Sequence, residues 1–252
     1  MSFADREPLG FDDEVLGLAM VATAVVAARA SQWRTRPESR PLTVVIALFT
    51  SAFVIGHGGS HLPWLLDATK YLHMANASAV TNDLIRTAAA GYMCTLVART
   101  WKLGDRVYDA IRGVFATVAV TMILLWQLSS DGARTVAYMG TVTDDDRYAT
   151  AYGYVSDINI GLAHALVFTN VILAYSFPPP MVRVSLLATG AAALCGLTSA
   201  GLRFASVADP DTFLPVRAEW SVPILVVGIA LYILAGLTGH LATARLSRSG
   251  AE

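Results

Sequence analysis

Charge is what this sequence has least of. Asp, Glu, Lys and Arg together make up 15% of its 252 residues, where a soluble domain carries about a quarter. Hydrophobic residues make up 55%, and the mean hydropathy is +0.53. These values exclude a soluble globule, a disordered chain, collagen and a coiled coil. Neither sign of charge is in excess: the net charge is −1, which leaves no bulk attraction to nucleic acid. Cysteine is nearly absent. Cys94 and Cys195 stand too far apart to read as a disulfide framework or a zinc knuckle. Of the 18 basic residues only Lys70 and Lys102 are lysines, and both fall between apolar runs. No lysine is therefore placed to carry retinal, and a microbial-type rhodopsin is excluded. The amino-terminal stretch is acidic and lacks the positive region of a cleavable signal peptide. No alternation of polar and apolar residues recurs, which excludes a β-barrel.

What is present is a series of long apolar runs. Stretches without Asp, Glu, Lys or Arg cover 15–28, 41–66, 87–98, 113–130, 158–182, 184–202 and 220–244. A membrane helix needs about 20 mostly apolar residues. The third run reaches that length only if its helix begins near Ala79 and takes in Asp83 and Arg86. The first reaches it if Arg29 snorkels and Trp33 sits in the interface. The expectation is an all-α, polytopic bundle of seven transmembrane helices over about 15–32, 41–63, 79–99, 111–129, 154–177, 184–204 and 220–242. An acidic segment, 1–14, precedes them and a short tail, 245–252, follows. These prolines fall between the expected helices or at their ends, and none lies in the middle of one: Pro37 and Pro41, the run Pro178–Pro180, then Pro210 and Pro215.

Basic residues set the orientation. With the amino terminus outside and the carboxyl terminus inside, 11 basic residues lie inside and 6 outside, with Arg86 inside a span. The opposite orientation inverts that ratio. The expected location is a bacterial plasma membrane. Arg and Ala have GC-rich codons, so the preference for arginine over lysine points to a GC-rich genome.

Ionisable residues within spans are costly and mark candidate sites. Asp83 and Arg86 are three apart and share a helix face. Asp157, Gly161 and His164 share another, with Asn159 and Asn170 off it; His164 can relay a proton, bind a ligand or bond a neighbouring helix. Helix starts and a 1.5 Å rise per residue put His57, Asp83, Arg86, Asp157 and Arg203 in the outer half of the bundle. The expected site is an outward-opening polar pocket with Arg86 as its anion-binding centre and Asp83 or Asp157 as partner, His164 lying deeper. The competing reading keeps the ion pairs and fills the space with side chains. His57 and His61, four apart around two glycines, are metal-ligand candidates, against interfacial polar packing; no cofactor is expected. Ala192/Gly196 and Ala235/Gly239 have the spacing that lets helices approach closely. Asp144–Asp146 reads as a solvated acidic loop rather than a calcium loop.

Three segments carry a resemblance: QWRTRPESRPL between the first two spans, TNDLIRTAAA at the start of the third, and YATAYGYVSDINIGLAHALVF entering the fifth. In them the chain resembles a group of actinobacterial seven-helix integral membrane proteins described as transporters. The likeness lies in pattern rather than in a sharp motif, and it implies a seven-helix fold but no substrate. Members often continue into a soluble extension, whereas this chain stops about ten residues after its last run. The expected function is a transporter-like or small-molecule-binding membrane protein that takes a small or anionic ligand, with no catalytic motif. The alternatives are a sensory module contacting a cytosolic protein through its basic inner loops, 34–40 and 99–112, and a metal-dependent membrane hydrolase using His57, His61 and an Asp.

Overall fold

The computed structural model of the chain describes residues 12–31, 33–34, 40–57, 76–130 and 146–249. Among them are seven helices and no strand: α1 (Asp12–Ala30), α2 (Arg40–His57), α3 (Ala77–Thr100), α4 (Asp105–Leu128), α5 (Arg147–Ala174), α6 (Pro180–Ala208) and α7 (Pro210–Ser249). Four are long and apolar enough to cross a membrane: Asp105–Leu128, Arg147–Ala174, Val182–Ala208 and Pro210–Gly239. Shorter apolar stretches run through Met20–Ala30 and Arg40–Ile55. The outward faces match that reading. Val120, Leu124 and Leu128 on α4 and Leu162 and Ile172 on α5 are exposed, as side chains facing hydrocarbon rather than water would be.

Each helix packs against the next, and α7 packs back on α1, so the bundle closes into a ring; α3 also meets α5, and α2 also meets α7. The main core cluster joins Phe49 of α2, Ala89 and Met93 of α3, Ala163 of α5, Ala192 of α6 and Tyr232 of α7. A second joins Ala22, Phe53 and Ile229 across α1, α2 and α7. A third joins Val80, Met122, Trp126 and Tyr152 across α3, α4 and α5. Helix α3 buries nine residues, while α4 buries only Met122 and Trp126. That difference explains why the third apolar run is the shortest: α3 faces other helices along much of its length, and polar side chains that find partners there are tolerated.

Local chemistry sets several ends. Asp146 caps α5, its Oδ1 accepting from the amides of Tyr148 at 2.9 Å and Ala149 at 3.1 Å, and its Oδ2 from Ser130 at 2.5 Å. One member of the expected acidic loop is thus a helix cap that also ties down the end of α4; Asp144 and Asp145 lie outside the described residues. Burial works against this carboxylate, but the Ser130, Ala149 and Tyr148 amides outweigh it and hold Asp146 at about 2. Pro180 opens α6 at a position where a missing N–H costs nothing. Lys102, with φ 53°, turns the chain between α3 and α4, and the Leu103 amide reaches back to the Ala98 carbonyl at 3.0 Å.

Two expectations are corrected. The stretch before the seventh apolar run is helical: α7 begins at Pro210 and carries Pro215 and Pro223 inside it. The side chain of Arg29 does not snorkel. It is 8% exposed and turns into the bundle, where Nε donates to Thr43 Oγ1 at 3.0 Å and Nη1 to the Gly236 carbonyl at 2.5 Å. Asn159, off the face shared by Asp157 and His164, is also buried and donates to Thr87 Oγ1 at 3.0 Å.

Candidate functional site

The polar centre is built on Asp83, one turn and a half into α3, and it is buried. Two oxygens are available on its carboxylate, and one arginine takes both. Arg203 Nη1 lies 3.0 Å from Oδ1 and Nη2 3.0 Å from Oδ2, the parallel geometry that makes guanidinium–carboxylate pairs strong and directional. The Tyr152 hydroxyl donates to Oδ2 at 3.2 Å. The third nitrogen of Arg203, Nε, lies 2.7 Å from Asp157 Oδ1. That contact is short but off the N–H axis, so it is an ion pair rather than an aligned hydrogen bond. One guanidinium on α6 therefore bridges carboxylates on α3 and α5. Arg203 sits five residues inside the end of α6, because the helix continues past the charge-free run to Ala208.

Neighbouring polar groups extend the network. Ser206 Oγ donates to the Arg203 carbonyl at 2.7 Å and accepts from Arg217 Nη1 of α7 at 2.9 Å. Thr87 Oγ1, which accepts from Asn159, approaches Met122 Sδ at 3.6 Å. Ser156 Oγ and Asn159 Oδ1 are buried without a hydrogen-bond partner among the described residues. Such atoms in a bundle interior favour hydration or a polar ligand, because leaving them dry costs free energy.

Arg86 is placed differently from Arg203. Its Nη1 comes within 3.6 Å of Asp83 Oδ1, a charge contact too long for a hydrogen bond, and its side chain is 11% exposed. Among the described residues it makes no hydrogen bond. It lines a cavity of about 30 Å³ that also meets Phe49, His164, Gly196, Ser199 and Tyr232. At roughly 10–15 Å³ per water, the space holds about two waters. It lies near the middle of α5 and α6, deeper than the outer-half pocket that sequence depth suggests. His164 is buried, and its Nδ1 is 2.9 Å from the Ile160 carbonyl. A carbonyl only accepts, so Nδ1 carries the proton and Nε2 is the free acceptor of the neutral ring. The ring lies against the backbone of Gly196: a Cβ there would stand 2.1 Å from Nε2.

The structure thus gathers Asp83, Arg86, Asp157 and Arg203 and sets His164 on the same cavity as Arg86. His57 ends α2 with its side chain outside the described residues, and His61 lies outside them altogether. Among the described residues no group of three His, Cys, Asp or Glu is placed to hold a metal. Tyr152, Thr87, Ser206 and Arg217 belong to the network but not to the candidate residues read from the sequence. Tyr152 alone left a signal, a tyrosine five residues before Asp157 in a run already rich in polar side chains.

No protein-family model, curated protein or solved structure matches this chain. The functional reading rests on the site's own chemistry.

Proposed function

We propose that the chain is a seven-pass protein of a bacterial plasma membrane, amino terminus outside and carboxyl terminus inside, that binds a small anion at Arg86 in a transporter-like role. Four membrane-length helices support the membrane setting, and the 11 to 6 basic-residue asymmetry supports the orientation. One observation carries the ligand reading. Arg203 takes both oxygens of Asp83, leaving Arg86 a largely enclosed cation whose donors, among the described residues, are unfilled and face a cavity. A guanidinium in that position gains most from a compact acceptor. The cavity volume limits the ligand to a few heavy atoms and argues against a larger organic anion in this conformation.

The test is thermal unfolding of detergent-purified protein in sodium formate or sodium nitrate, against sodium gluconate at equal ionic strength. The expected result is a midpoint raised by the small anions in the wild type and unchanged in Arg86→Gln. Equal midpoints in all three salts reject the reading. A reporter fused after Ser249 that is active only outside the cytoplasm rejects the orientation.

A further inference from the structure

The cavity pairs two groups of opposite hydrogen-bonding character. Arg86 offers only donors; neutral His164 offers only its Nε2 acceptor. A bare anion satisfies the first and is repelled by the lone pair of the second. It also brings a second negative charge close to Asp83, the carboxylate that Arg86 already faces at 3.6 Å. Uncompensated charge at this depth is expensive.

Both conflicts vanish if a proton arrives with the anion. We propose that the Arg86–His164 cavity takes up a small monoanion together with one proton, the proton residing on His164 Nε2, so that the occupied site carries the charge pair of a small weak acid. This rests on the reading of Arg86 as an anion site and specifies what accompanies the anion. In the bound state Nε2 gains a proton from solvent and becomes an N–H donor; imidazolium and anion add +1 and −1, and the cluster keeps its net charge. Nδ1 keeps its bond to the Ile160 carbonyl throughout, so the ring need not turn. The absence of a side chain at Gly196 makes room for the imidazole ring in this position, and Ser199 adds a hydroxyl to the cavity wall. Among the described residues the other ionisable groups on the cavity are Arg86 from α3, Cys195 from α6 and Tyr232 from α7, and α2 contributes Phe49. The ordinary ranges of thiol and phenol lie above pH 8, which leaves His164 as the group that takes up the proton when the anion binds between pH 5.5 and 7.5.

The test measures binding and proton uptake together. Sodium formate, and separately sodium nitrate, is titrated into weakly buffered, detergent-purified protein carrying a pH indicator. The expected wild-type result is about one proton taken up per anion bound, with affinity falling roughly tenfold per pH unit across that window. In His164→Gln, binding should persist without uptake and without the pH slope. Wild-type binding that is independent of pH and free of uptake overturns this inference and leaves the anion site standing. Uptake retained in His164→Gln overturns the assignment of the proton to His164. Binding of neither anion overturns the anion site and this inference together. The wild-type stoichiometry decides the question even if the variant does not fold.

Discussion

Arg203 holds Asp83 through both terminal nitrogens at 3.0 Å, although 120 residues separate them, while Arg86, three residues from Asp83 on the same helix, comes no nearer than 3.6 Å. Proximity in sequence favours the local pair. The tertiary pair prevails because a side chain approaching from α6 can present its planar fork face-on, whereas one rising from the same helix cannot. The division leaves one arginine structural and the other available.

Removing either partner of the Asp83–Arg203 pair should be severe. Asp83→Asn and Arg203→Gln are each expected to lower unfolding free energy by about 3–5 kcal/mol, because the remaining charge is buried without its counterion. Reversible unfolding in mixed micelles reads the effect. The double variant should cost clearly less than the sum of the singles; strict additivity would show that the two residues do not act as a pair.

Gly196 and His164 form a second testable pair. A Cβ at position 196 would stand 2.0 Å from His164 Cδ2, so Gly196→Ala should destabilise by roughly 1–3 kcal/mol. Adding His164→Ala should relieve the collision, bringing the double variant close to His164→Ala alone. A Gly196→Ala protein as stable as wild type would contradict the placement of the ring.

Arg29 ties three helices at the other end of the bundle. Arg29→Ala removes charge-assisted bonds to Thr43 and Gly236 and should cost about 1.5–3 kcal/mol. If Arg29 merely reached for the interface, the loss would be within about 0.5 kcal/mol. The same unfolding measurement separates the two.

Asp146 predicts a pH signature. Its carboxyl is held at about 2, below its ordinary 3.8. The cap's contribution is therefore complete above the ordinary value and lost as pH falls from about 4 to about 2. Asp146→Ala should cost about 1 kcal/mol at pH 7. The gap between wild type and variant should stay constant down to about pH 5 and shrink below pH 4. A gap that persists at pH 2 would show that the ionised carboxylate is not the cap.

Most of the helical layout was legible because lipid-facing helices announce themselves as long apolar runs. What stayed hidden has physical reasons. Arg217 and Glu219, flanked by Pro215 and Pro223, read as a loop, yet α7 passes through them, each interior proline forgoing one backbone bond without ending the helix. Arg203 read as a rim residue because the charge-free run stops before it, although α6 does not. Asp83, Arg86 and Asp157 could be singled out, since charge within an apolar run is rare. Which arginine would take which carboxylate depended on the directions of side chains from separate helices, and spacing along one chain carries no such information.

The junction of α6 and α7 has a mechanical corollary. A single residue, Asp209, separates Ala208 from Pro210, and consecutive Cα atoms are about 3.8 Å apart. So short a tether leaves no slack for one helix to slide as a piston along the other. Ser206, held between the Arg203 carbonyl and Arg217, rivets the two near that end. Any displacement that parts Arg203 from Asp83 and Asp157 must then swing α6 and α7 together, as one rigid lever working against α3 and α5.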